Sequence, residues 1–109
     1  MQDFDKIIWR DTLTLVDFFA SWCGPCRMMH PIVDRIEKQL NGRVDVYRID
    51  IDNRSIAPIL SRYNIRSVPT LIFFRRGEIL WRRSGVTDYD ELLRVVNELE
   101  KSTEQVSQQ

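Results

Sequence analysis

The sequence predicts an α/β sandwich: a mixed central sheet of about four strands with helices on both faces. Three observations carry this expectation. Apolar strand-like runs alternate with helical patterns from residue 13 to about residue 101 of the 109. The first two strands are separated by a helix of over a dozen residues, which suits a parallel pair with a right-handed crossover. The last two strands meet at Arg76-Gly77, a tight turn that makes them antiparallel.

Each element has its own signal. Residues 13–20 read as a buried strand, with Val16, Phe18 and Phe19 as strand formers. Residues 25–40 form a helix whose stripe is Met29, Ile32, Val33, Ile36 and Leu40, and Asn41-Gly42 ends it. Pro31 removes one donor inside that helix and predicts a kink. Residues 44–51 make the second strand and 55–63 a shorter helix. Residues 70–74 and 78–84 form the hairpin. Asp88 and Glu91 are spaced as a capping box for the last helix, expected to end near Lys101. Residues 1–101 are thus read as one domain and the polar residues 102–109 as a flexible tail.

Composition narrows the function. Sixteen basic residues balance sixteen acidic ones, so no global field draws nucleic acid or an anionic membrane. The doublets Arg75-Arg76 and Arg82-Arg83 read as polar guards of a hairpin edge. No apolar run approaches the ~20 residues of a membrane helix, and no secretory apolar segment opens the sequence. The cytoplasm is therefore the expected compartment, and a monomer the expected state.

The chemistry concentrates in Trp22-Cys23-Gly24-Pro25-Cys26, where the first strand hands over to its helix. A helix N-terminus presents unpaired N–H groups and a favourable field for negative charge. That field is worth up to ~2 kcal/mol, about one pKa unit below the ordinary thiol value of ~8.5. Cys23 is thereby expected as an exposed nucleophilic thiolate. Cys26 falls one turn later on the same face, more buried, within reach of a reversible disulfide. Pro25 fits the first turn, and Gly24 leaves the approach to Cys23 open. Asp17 interrupts an apolar run, and burial would raise its pKa toward a range useful for proton exchange.

Leu15-Val16-Asp17-Phe18 running into the Cys-Gly-Pro-Cys site, followed by Ile65-Arg66-Ser67-Val68-Pro69-Thr70, resembles the thioredoxin family. The resemblance implies a thioredoxin-like fold and a thiol–disulfide oxidoreductase that reduces protein disulfides through a mixed disulfide. Cys23 would attack and Cys26 resolve. Asp17 would match the family's buried carboxylate, and Pro69 its cis proline facing the dithiol. Trp22, Ile51, Val68, Gly85 and Val86 would match the apolar substrate rim, beside Gly24 and Pro25. The implied partners are disulfide-containing proteins and a flavoenzyme of the thioredoxin-reductase type; the only redox group would be the cysteine pair, with no separate cofactor. Gly-Pro between the cysteines resembles the reducing branch and not the oxidants or isomerases. Two departures stand out. Residues 3–9 resemble the helix that follows the family's first strand, and that strand, beside residues 44–51, is expected to be missing. Arg48 stands where lysine is usual, and is expected to pair with Asp17 and hold it ionised.

Cys23, Cys26 and His30 offer three metal donors where structural zinc wants four, so His30 is read as lying on a polar helix face. Trp9 and Trp81 are read as packing residues, and Met28-Met29 as core filler.

Overall fold

The computed structural model describes the backbone of residues 2–107 and the side chains of residues 3–101. Its order is α1 (Gln2–Ile8), β1 (Leu13–Phe19), α2 (Gly24–Gln39), β2 (Val44–Asp50), a 3-10 turn (Arg54–Ile56), α3 (Ala57–Arg62), β3 (Thr70–Arg75), β4 (Glu78–Ser84) and α4 (Tyr89–Ser107). The strands lie in the order β2-β1-β3-β4. β1 runs parallel to β2, and β3 is antiparallel to both β1 and β4. Among the described residues no strand lies outside β2.

The central strands are apolar on both sides because helices cover both faces. Leu13 and Leu15 of β1 join Leu71 and Phe73 of β3 in a core closed by Met29, Val33 and Ile36 of α2 and Leu92 and Val96 of α4. The alternate residues Val16, Phe18, Ile72 and Phe74 point the other way, onto Phe4 and Ile8 of α1 and Ile59 of α3. Asp17 therefore shares the α2 side with Leu13 and Leu15.

The hairpin turn places Arg76 and Gly77 at φ +49° and +80°. This left-handed pair suits the right-handed twist of the strands, and it is why glycine stands there. Asp88 caps α4 through the Glu91 N–H at 2.8 Å, half of the expected box. The Glu91 side chain instead meets Arg83 at 3.0 Å and also pairs with Arg94. α4 also continues to Ser107, past the expected end at Lys101, so the backbone of the segment read as a tail is helical over its described part. Gln108 and Gln109 lie outside the described residues.

Two packing expectations need correction. Trp9 is 66% exposed, because it only lies across the Gly77 turn, with its ring 2.7 Å from where a Cβ would stand. Met28 is 61% exposed, since the helix repeat turns it away from the core that holds Met29. Trp81 packs on Phe73 with ring centroids 5.6 Å apart.

Candidate active site

β1 ends one residue short of Ala20, and the chain then turns through Ser21 and Trp22 into α2. Cys23 is the N-cap of that helix, extended at φ −90° and ψ 113°. The Cys26 N–H points at its sulfur at 3.1 Å, the bond an N-cap oxygen would normally accept. Pro25 occupies the first turn, where no N–H is needed. The two cysteines form a disulfide with Cα atoms 5.2 Å apart.

Both cysteines are covered in this oxidised form, at 4% and 1% exposure, so the expected open Cys23 is corrected. Phe19, Ile51 and Val68 pack around them. The Val68 carbonyl oxygen lies 3.7 Å from the Cys23 sulfur. The Val68–Pro69 peptide is cis, and Thr70 Oγ1 donates to the Ser67 carbonyl at 2.7 Å to close that loop. Beside Gly24 lies open space: nothing stands within 4 Å of where its Cβ would be.

The far wall of the rim is tied down at both ends. Gly85, at φ +96°, donates its N–H to the Pro69 carbonyl at 2.9 Å. The buried Thr87 N–H donates to the thioether of Met29 at 3.3 Å, one turn along α2 from Cys26. Val86, between these anchors, is 43% exposed. Trp22 is 65% exposed, and its indole N–H donates to Asp52 at 2.9 Å. The sequence did not single out Asp52 or Thr87. Asp52 lies 30 positions from Trp22, so no local pattern marks it.

Asp17 is 1% exposed, and neither carboxylate oxygen has a hydrogen-bond partner among the described residues. Burial pushes its pKa up to about 6, against smaller opposing effects of the His30 and Arg48 charges. The expected Asp17–Arg48 ion pair is overturned. The two residues are register partners across β1 and β2, but the guanidinium of Arg48 turns to α2, where it meets Asp34 and, at 3.2 Å, Glu37. Those exposed carboxylates keep their hydration in part, so they are cheaper partners for arginine than a buried one. His30 is half-buried with its ring edge on Phe19, centroids 5.6 Å apart, and not on a polar face.

The thioredoxin family model matches residues 1–98. This chain belongs to the thioredoxin family. It is 41% identical to thioredoxin of Rickettsia conorii over 92 residues, covering 84% of this chain and 86% of that one. It is 48% identical to the chloroplastic thioredoxin M4 of Arabidopsis thaliana over 73 residues, 67% of this chain and 37% of that relative. The solved structure of Malassezia sympodialis thioredoxin superposes with a TM-score of 0.77 at 30% identity, covering 89% and 83% of the two chains. Like other members of the family, the chain is a thiol–disulfide oxidoreductase whose redox group is its own cysteine pair. Among the described residues, no helix is long and apolar enough to cross a membrane.

Proposed function

We propose that this chain reduces disulfides in other proteins, with Cys23 as nucleophile and Cys26 as resolver. The observation that carries the reading is the Cys26 N–H aimed at the Cys23 sulfur from the first turn of α2. In the reduced protein the Cys23 thiolate attacks one substrate sulfur and expels the other as a thiolate, forming a mixed disulfide. Cys26, deprotonated, then attacks the Cys23 sulfur and releases the second substrate thiol. Two electrons leave the protein, and the Cys23–Cys26 disulfide remains.

Asp17 takes the proton of Cys26 in this reading. A carboxyl titrating near neutrality is suited to exchange a proton with a thiol. Ile51, Val68, Pro69, Gly85, Val86 and Trp22, with Gly24 and Pro25, form the rim that receives the substrate chain. Free main-chain groups of the Val68–Pro69 loop suit pairing with an extended segment. Arg48 supports α2 from β2 and does not contact Asp17 directly. The oxidised protein is recharged by a flavoenzyme of the thioredoxin-reductase type, in the reducing cytoplasm. The chain works as a monomer, its unit being residues 1–101 with the polar segment 102–109 outside it. Helices over both sheet faces, and a core that reaches Leu99, support that unit.

The test uses a disulfide-bonded protein substrate with dithiothreitol as electron source. The wild type is expected to reduce it catalytically. Cys26→Ser should stall as a mixed disulfide with substrate, and Cys23→Ser should form none. Equal turnover by the wild type and a Cys23→Ser, Cys26→Ser double variant would refute the reading.

A further inference from the structure

Met29 is fully buried in the core, where an apolar side chain of similar size would fill the same space, yet its sulfur has a polar task. The segment Gly85–Thr87 leaves β4 as the far wall of the rim and is fastened at three points. Thr70 Oγ1 and Ser84 Oγ lie 3.0 Å apart at the end of the hairpin. The Gly85 N–H donates to the Pro69 carbonyl at 2.9 Å, which ties the wall to the cis-proline loop. The third point is the Thr87 N–H on the Met29 thioether at 3.3 Å. Among the described residues this is the one hydrogen bond between the wall and α2, the helix that begins at the cysteines. Thr87 is 3% exposed, and its buried Oγ1 has no hydrogen-bond partner among the described residues. The sulfur, though a weak acceptor, is therefore what spares a buried N–H from standing alone.

We propose that Met29 is a positioning residue for substrate: its thioether holds the Gly85–Thr87 wall against α2, at the spacing that an extended polypeptide needs to reach the cysteines. The proposal rests on the reading of this rim as the site that receives protein disulfides, and adds to it the atom that sets its width. Val86, 43% exposed, sits between the bond to Pro69 and the bond to Met29. The first fixes it relative to the Val68–Pro69 loop, the second relative to the opening turns of α2. A methylene in place of the sulfur would keep the shape of the side chain and remove the acceptor. A buried N–H left without a partner bears the full cost of its lost hydration, so the wall would open until water reached it. Substrate would then have to close the wall, and its apparent affinity would fall with the fraction of molecules that are closed. Exchange at the sulfurs is untouched, because Cys23 keeps the Cys26 N–H and the Val68 carbonyl beside it. Affinity and chemistry separate at this residue.

The test changes one atom in the core. In a Met28→Leu background the protein is made with methionine, selenomethionine or norleucine, the last carrying a methylene where the sulfur stands; Met1 changes together with Met29. Each protein is pre-reduced and mixed with insulin, as a protein disulfide, and separately with dithiobis(nitrobenzoate), a small disulfide that has no chain to lay along the wall. With norleucine the half-saturating concentration of insulin is expected to rise about tenfold, while its limiting rate and the rate on the small disulfide stay within about twofold. Deuterium exchange at the Thr87 amide should speed up by about the same tenfold. Selenomethionine, whose selenium still accepts the bond, should match methionine in every measurement. An unchanged half-saturating concentration in the norleucine protein would overturn the proposal. So would a parallel fall in the small-disulfide rate, which marks a general disturbance of the core. If the methionine protein reduces the small disulfide but not insulin, the reading of the rim itself fails, and the proposal with it.

Discussion

Cys23 and Asp17 sit at the same strand–helix junction, both nearly sealed from solvent, and the fold treats their charges in opposite ways. Cys23 caps α2, so its sulfur meets the Cys26 N–H and the positive end of a 16-residue helix. Asp17 meets no donor among the described residues, and burial holds its carboxyl protonated up to about pH 6. One buried group is prepared to be negative and the other to be neutral. The difference shows that burial alone does not set ionisation; what matters is whether the fold aims N–H groups at the atom that must carry charge.

Removing the carboxylate should break this contrast with the largest effect. A carboxyl raised from 3.8 to about 6 binds its proton more tightly in the folded protein than in the unfolded chain. Below pH 4 both states are protonated and nothing is lost. As the pH rises from 4 through 6, the unfolded chain ionises first, and the folded state loses relative stability. The full penalty is present above pH 6 and is about 3 kcal/mol, at ~1.4 kcal/mol per pKa unit. Asp17→Asn should therefore stabilise the fold by up to that amount at pH 8 and by little at pH 4, as urea midpoints at both pH values would read. It should also slow reduction of substrates, and its rate profile should lose the inflection near pH 6. A variant that is less stable at pH 8 would mean that a partner holds the carboxylate ionised.

A smaller effect sharpens the same contrast. Electrostatic interaction with His30 and, after it, with Arg48 favours ionisation of Asp17. His30→Gln should move the carboxyl titration of Asp17 upward, and Arg48→Gln should do so less. Carbon-13 shifts of the Asp17 carboxyl against pH measure both. No change in either variant would leave burial as the sole cause.

Much of this site was legible in the sequence because its chemistry is local. The first strand (read to residue 20, one past its observed end), the N-terminal position of Cys23 and the one-turn spacing to Cys26 follow from consecutive residues. The two-face burial of β1 follows from its largely apolar run, and the parallel first pair and antiparallel last pair from the lengths of their connections. What failed was tertiary. Arg48 and Asp17 are opposite each other in register, but register does not say which of several carboxylates a long, flexible side chain will choose. The Trp22–Asp52 and Met29–Thr87 contacts join segments far apart in the chain, and Thr87 acts through its backbone N–H, which no residue type advertises. Met28 and Met29 differ only by the 100° that one helical residue turns, enough to place one in the core and the other in water.

The central claim is that the helix terminus makes Cys23, and not Cys26, the nucleophile. Alkylation of the fully reduced protein by iodoacetamide, followed by peptide mass analysis across a pH series, tests it most directly. Cys23 is expected to be modified first at every pH, with its rate half-maximal well below about 8.5, the ordinary thiol value. Cys26 should react slowly throughout. Faster modification of Cys26, or equal rates that both rise only near the ordinary thiol value, would contradict the assignment and the helix-terminus argument on which it stands.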